Sequence, residues 1–156
     1  MNNMKIPDEF QNLKPYDMSL YLDSFVSGKQ QNYIDVQYYC DENLLKFYVR
    51  VLFHIESQGA PGIVHGGAIA SVMDEAMGGV AFLNHLPAVT ASLTLNYHKP
   101  LPVETTMYIT TSIEKTEGKK VYIMGKMFDG DRVLFADSKG IFVKVPNERI
   151  GLQIKK

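Results

Sequence analysis

Residues 62–82 read GIVHGGAIASVMDEAMGGVAF. The stretch is mostly apolar with helical spacing. Yet it opens on His65, Gly66 and Gly67 and carries Asp74 and Glu75 in its middle. Those two carboxylates are the only formally charged side chains between Glu56 and Lys99. On a wheel of about 100° per residue, Ile69, Val72, Met73, Ala76, Val80 and Leu83 gather into one bulky stripe. That stripe is expected to pack on a sheet. The opposite side carries Gly67, Ser71, Asp74, Glu75, Gly78, Ala81 and Phe82. A solvated face usually mixes Lys, Glu, Arg and Gln, which favour helix. Small residues beside two acids instead let a second backbone or a ligand come close. This side is expected to meet a partner subunit or a ligand.

The start of the helix carries a second signal. A helix N-terminus presents free backbone N–H groups and a partial positive charge. Glycines there leave those groups unobstructed, which suits an anion or an oxygen becoming anionic. A tight loop-to-helix turn would also explain the glycine pair.

Around the helix, β-branched and aromatic runs predict strands. Residues 33–39 (YIDVQYY) and 44–55 (LLKFYVRVLFHI) precede it, with a loop at 56–63 marked by Gly59, Pro61 and Gly62. Residues 88–98 (AVTASLTLNYH) alternate, with Val89, Ala91, Leu93, Leu95 and Tyr97 on one face. Thr90, Ser92, Thr94, Asn96 and His98 form the other. Pro100 and Pro102 stop that strand. Three more follow at 103–116, 120–128 and 132–145, with turns at Gly118 and Asp129-Gly130-Asp131. One helix among six strands excludes a doubly wound parallel fold, which needs a helix per crossover. The expectation is an α+β fold, an antiparallel six-stranded sheet wrapped around one long central helix. Residues 1–30 read as a loose N-terminal arm in which Asp17–Gly28 allows a short amphipathic helix. Residues 31–146 form the domain, and 147–156 a polar tail.

Composition bounds the function. With 156 residues and 46% apolar content, one ordinary globular domain is expected. Sixteen basic and 17 acidic side chains leave a net charge of −1. That gives no electrostatic case for nucleic acid or an anionic membrane. The single cysteine, Cys40, excludes an intrachain disulfide. No signal-peptide pattern and no apolar run of roughly 20 residues is present, so no membrane insertion and a cytoplasmic location are expected. His54, His65, His85 and His98 lack metal-ligand spacing, so no metal is expected.

Residues 59–78 (GAPGIVHGGAIASVMDEAMG), followed by 89–102 (VTASLTLNYHKPLP), resemble the hotdog-fold acyl-CoA thioesterases. The similar branch contains the phenylacetate-pathway (PaaI-like) thioesterases and their animal mitochondrial relatives. The likeness covers about residues 35–145. It implies that Asp74 is the base or nucleophile and that the Gly66 N–H polarises the thioester carbonyl. It further implies that His65 supports that corner and that the Thr90 hydroxyl holds water or carboxylate. Gly67, Glu75, Lys99 and Gln58 are carried as substrate-binding candidates. Of the candidate cations for coenzyme A phosphates, Lys99, Arg50, Lys119, Lys120 and Arg132, Lys99 is the best placed, and a structural role for Glu75 is the stronger alternative. Some relatives place a water-positioning Asn where this chain has Gly59 with Gln58 beside it, and whether Gln58 takes that role is left open. No cofactor is implied, since coenzyme A is part of the substrate.

Gly66 and Asp74 lie eight residues apart, about 12 Å along a helix axis. Polarising and attacking groups must converge within ~3–3.5 Å of one carbonyl. One protomer therefore cannot supply both. A two-fold homodimer can, with Asp74 of one copy facing Gly66 of the other. Pairing into a dimer of dimers is left open. The reading from sequence is hydrolysis of an acyl-CoA thioester at a dimer-interface site. The alternative is a non-catalytic acyl-CoA-binding hotdog module acting as sensor or scaffold.

Overall fold

A computed structural model describes residues 5–17, 24–28, 31–41, 43, 45–146 and 148. Strands β1 (Lys14–Pro15), β2 (Ile34–Asp41) and β3 (Lys46–Phe53) come first, then helix α1 (Gly66–Leu83). Strands β4 (Ala88–Tyr97), β5 (Thr106–Glu117), β6 (Lys120–Phe128) and β7 (Leu134–Lys144) follow. They form one sheet in the order β1-β2-β3-β5-β6-β7-β4, with every neighbouring pair antiparallel. The sheet has seven strands, not the expected six. The extra strand, β1, pairs Lys14 with Cys40 and Pro15 with Tyr39. Two residues are too few to show periodicity, and proline is tolerated at an edge. Half of the helix expected at Asp17–Gly28 (residues 18–23), and nearly all of the tail, lie outside the described residues.

Helix α1 follows β3, but β4 pairs with β7 at the far edge of the sheet. The helix must therefore cross the sheet, and its bulky stripe faces it. Ile69, Val72, Met73, Ala76 and Val80 are buried as the wheel requires, and Met77 and Ala81 join them. Ala81 was expected on the open side. The sheet curls far enough round the helix to cover it.

Packing, not propensity, holds this helix. Gly78 and Gly79 in its interior each cost about 1 kcal/mol relative to alanine. Each full burial of Val72, Met73, Met77 and Val80 contributes roughly 1.5–3 kcal/mol. Gly79 has a packing reason, since a Cβ there would stand 2.4 Å from the Phe47 ring.

Both hairpin turns fall where expected. Gly118, at φ +56°, takes the first corner of the two-residue β5–β6 turn. The Asp129 carboxylate accepts from the Asp131 and Val133 N–H groups, 2.9 Å each, in the β6–β7 turn.

The described part of the N-terminal arm lies against the outer face of the sheet. Phe10, 8% exposed, meets Tyr48 and Tyr108 edge-on at 5.3 and 4.8 Å. Lys5 pairs with Asp131 at 3.1 Å, and Glu9 pairs with Arg132. Among the described residues, no helix is long and apolar enough to cross a membrane.

Candidate active site

His65 caps α1. Its backbone is extended (φ −60°, ψ 133°) and its Nδ1 accepts the Gly67 N–H at 2.8 Å. An imidazole that accepts at Nδ1 carries its proton on Nε2 when neutral. The His65 carbonyl accepts the Ala68 and Ile69 N–H groups, 2.9 and 3.3 Å away. The first turn of a helix leaves four donors to satisfy. The Ile69 bond is the first within the helix; of the four, His65 N–H donates to the Ser57 carbonyl at 2.8 Å, and the Gly67 and Ala68 N–H groups to His65, so three are engaged. The fourth, Gly66 N–H, has no partner among the described residues.

Tyr97 fixes Gly66 from the side. Its hydroxyl donates to the Gly66 carbonyl at 2.8 Å. A Cβ on Gly66 would stand 3.3 Å from the Tyr97 ring. Tyr97 was not singled out from sequence, because its target is a backbone carbonyl 31 residues away.

Asp74 is half-buried, two turns further along. Thr90 Oγ1 donates to Asp74 Oδ1 at 2.6 Å. Oδ2 takes no hydrogen bond from the described residues. Strand β4 runs antiparallel to α1, which puts Thr90 beside Asp74 and Tyr97 beside Gly66. The expected alternation on β4 needs one correction. Thr90 pairs with Phe142, but Ser92 pairs with Ile141, so the register slips at Ala91. This β-bulge resets the phase. Thr90 shares the helix-facing side with Leu93, Leu95 and Tyr97 instead of opposing them. Bulges re-aim side chains in this way beside functional sites.

Glu75 points elsewhere. The Tyr38 hydroxyl donates to Glu75 Oε1, and Ser24 Oγ lies 2.8 Å from Oε2. Burial raises the Glu75 pKa above the ordinary carboxylate value. The Tyr38 and Ser24 hydrogen bonds oppose that rise and the Asp74 charge adds to it. Burial, then the Glu75 charge, holds the Tyr38 phenol protonated far above its usual range. Hydroxyls, not cations, therefore satisfy this acid, which is why no lysine or arginine lies nearby in sequence.

A raised carboxyl pKa destabilises the fold once the group ionises. The cost is absent below the ordinary value of 4.5 and grows as pH rises through the raised one. Glu75→Gln keeps an acceptor for Tyr38 and Ser24 without the charge. Urea unfolding should show the variant gaining in stability on wild type as pH rises from 4 to 8. A constant difference across that interval would mean that Glu75 ionises in the fold as readily as in the unfolded chain.

Among the remaining candidates, Gly67 uses its N–H on His65 and its carbonyl on Ser71 Oγ, 2.8 Å away. Gln58 Oε1 accepts the Gly62 N–H at 3.0 Å, so it braces the loop before the helix. At Gly59 a Cβ would press His65 Cα at 3.2 Å, leaving little room for a longer side chain. Lys99 is exposed just beyond Tyr97, where Val64 N–H bonds to the Leu101 carbonyl at 2.8 Å. It belongs to the Gly66 end of the site, not the Thr90 end. Among the described residues, no three histidine, cysteine or carboxylate side chains converge as metal ligands do.

A cleft of about 520 Å³ opens beside Asp74. Its lining combines polar Ser24, Ser71, Glu75 and Thr90 with apolar Val26, Phe82, Val89 and Phe142.

The profile of the thioesterase superfamily matches residues 61–136, spanning α1 and β4 to β6. The acyl-coenzyme A thioesterase THEM4 of Mus musculus is 33% identical over 93 residues, 59% of this chain and 40% of that protein. Uncharacterized protein C26H8.11c of Schizosaccharomyces pombe is 31% identical over 165 residues, covering 98% of this chain and 92% of that one. The PaaI protein of the Escherichia coli phenylacetic acid degradation operon superposes with a TM-score of 0.64 at 16% identity. That superposition covers 72% of this chain and 80% of PaaI. The chain belongs to the thioesterase superfamily and has its hotdog fold. It spans about 40% of the length of the THEM4 proteins it matches.

Proposed function

We propose that this protein hydrolyses an acyl-CoA thioester to free acid and coenzyme A, at a site completed by two copies of the chain. The observation that carries the reading is the unengaged Gly66 N–H at the mouth of α1, on the side where Asp74 meets Thr90. A preorganised N–H stabilises the oxyanion that forms when a thioester carbonyl is attacked. Asp74 either deprotonates water or attacks directly to form a mixed anhydride. Thr90 holds one of its oxygens and leaves Oδ2 for the reaction. His65 keeps the Gly66 N–H aimed by taking the Gly67 N–H for itself. Lys99, at the Gly66 end, is placed to meet coenzyme A phosphates.

The span of about 12 Å between Gly66 and Asp74 supports a two-fold homodimer. So does β4, a ten-residue edge strand exposed over much of its length, whose one strand neighbour among the described residues is β7. Such an edge is a template for pairing with another chain. No metal or cofactor takes part in this scheme. Release of free thiol from a panel of acyl-CoA thioesters tests it. Turnover is expected. Tight binding of acyl-CoA with no thiol release would make the protein a binding module and overturn hydrolysis.

A further inference from the structure

Two adjacent glycines in α1 have different reasons to exist. Gly79 is required by Phe47. At Gly78, by contrast, a Cβ would meet nothing closer than the edge of Phe142, 4.0 Å away. Glycine weakens a helix interior, and the described chain does not need it at 78. No described residue fills that space. Gly78 lines the same cleft as Asp74, one helical turn away. Ser71, Asp74, Gly78 and Phe82 follow one another at helical spacing along it.

We propose that Gly78 sets the bore of an acyl channel running along α1 from Asp74 toward Phe82. The enzyme then takes acyl groups that extend several carbons past the thioester carbonyl. This rests on the hydrolase reading above and names the substrate class for that site. A group bonded to a carbonyl at Asp74 has two directions to follow. Toward Ser71 the helix leads to its N-terminus. Toward Phe82 the cleft is walled by Phe82, Phe142 and Val89, which suits hydrocarbon and not the amides of a pantetheine arm. From Asp74 to Phe82 the helix rises about 12 Å, so the channel is deep enough to bury a chain.

The test compares wild type with Gly78→Ala and Gly78→Leu in the full chain. The kcat/KM for thiol release is measured from acetyl-CoA and decanoyl-CoA. Each buried methylene contributes about fourfold. A leucine side chain that displaces three of them should lower the decanoyl-to-acetyl ratio by on the order of 50-fold. Gly78→Ala should lower it less while raising Tm by about 2–4 °C, since alanine favours helix. An unchanged ratio in both variants overturns the proposal. So does a parallel fall for both substrates with separation of the subunits by light scattering, which would assign the space to a partner helix. Binding of S-acetonyl- and S-decyl-CoA thioethers, measured by calorimetry, reads the same channel without hydrolysis. If wild type releases no thiol, the hydrolase reading fails. The thioether ratio in the variants then still decides whether Gly78 sets the bore.

Discussion

Asp74→Asn is expected to lower kcat by on the order of 10²–10⁴, with KM and Tm nearly unchanged. Asparagine offers Thr90 an acceptor at the same place as Asp74 Oδ1, now bonded at 2.6 Å. The local packing is therefore kept and only the basic, nucleophilic oxygen is lost. Kinetics on any acyl-CoA that wild type turns over will check this. Full turnover in the variant would remove Asp74 from the chemistry and leave the Thr90 contact as a structural bond. Glu75→Gln is the natural comparison, since Glu75 is the adjacent carboxylate, half-buried and bound to Tyr38 and Ser24.

The second large effect is expected at Gly66. Proline is well tolerated at the first position of a helix, where its missing N–H is not needed. The residue before it must be extended, and His65 already is, at ψ 133°. Gly66→Pro therefore deletes one N–H from a helix that does not use it. The expected loss is about 10²–10³ in kcat. Gly66→Ala is the control. It adds the same Cβ near Tyr97, 3.3 Å away, but keeps the N–H. Equal losses in the two variants would assign the effect to crowding of Tyr97 and not to the donor. Mixing Gly66→Pro with Asp74→Asn then tests the shared site. After equal subunit exchange, half the dimers are mixed and each has one intact site, so about a quarter of wild-type activity should return. No return after confirmed exchange would place both groups in one chain's own site and remove the two-copy scheme.

Much of this was legible from residue order, and the exceptions share a cause. The helix, its bulky stripe and the His65-Gly66-Gly67 opening are local patterns, and the structure has them where the spacing put them. Asp74 and Glu75 read as twins in sequence but not in space. Their separation by about 100° turns Asp74 to Thr90 and Glu75 to hydroxyls 37 and 51 residues distant. No window of sequence contains those partners. Strand β4 shows the limit most clearly. Its alternation reads without fault from Val89 to His98, yet one residue, Ala91, drops out of the pairing. A bulge leaves no mark on a pattern in which polar and apolar residues already alternate. The alternation puts Thr90 opposite Leu93, Leu95 and Tyr97, and the bulge brings it to their side, against Asp74. The strap of residues 5–16 was hidden for another reason. Phe10 finds Tyr48 and Tyr108 across the sheet only after β3 and β5 have paired.

The strand order also dictates when the molecule can finish itself during synthesis. Thr90 lies on β4, whose one strand neighbour is β7, with Thr90 set against Phe142 some 50 residues later. A ribosome that has delivered only the first two thirds of the chain has produced Asp74 and its helix, but nothing for β4 to zip onto. The carboxylate waits without its threonine until nearly the last codon of the sheet is read.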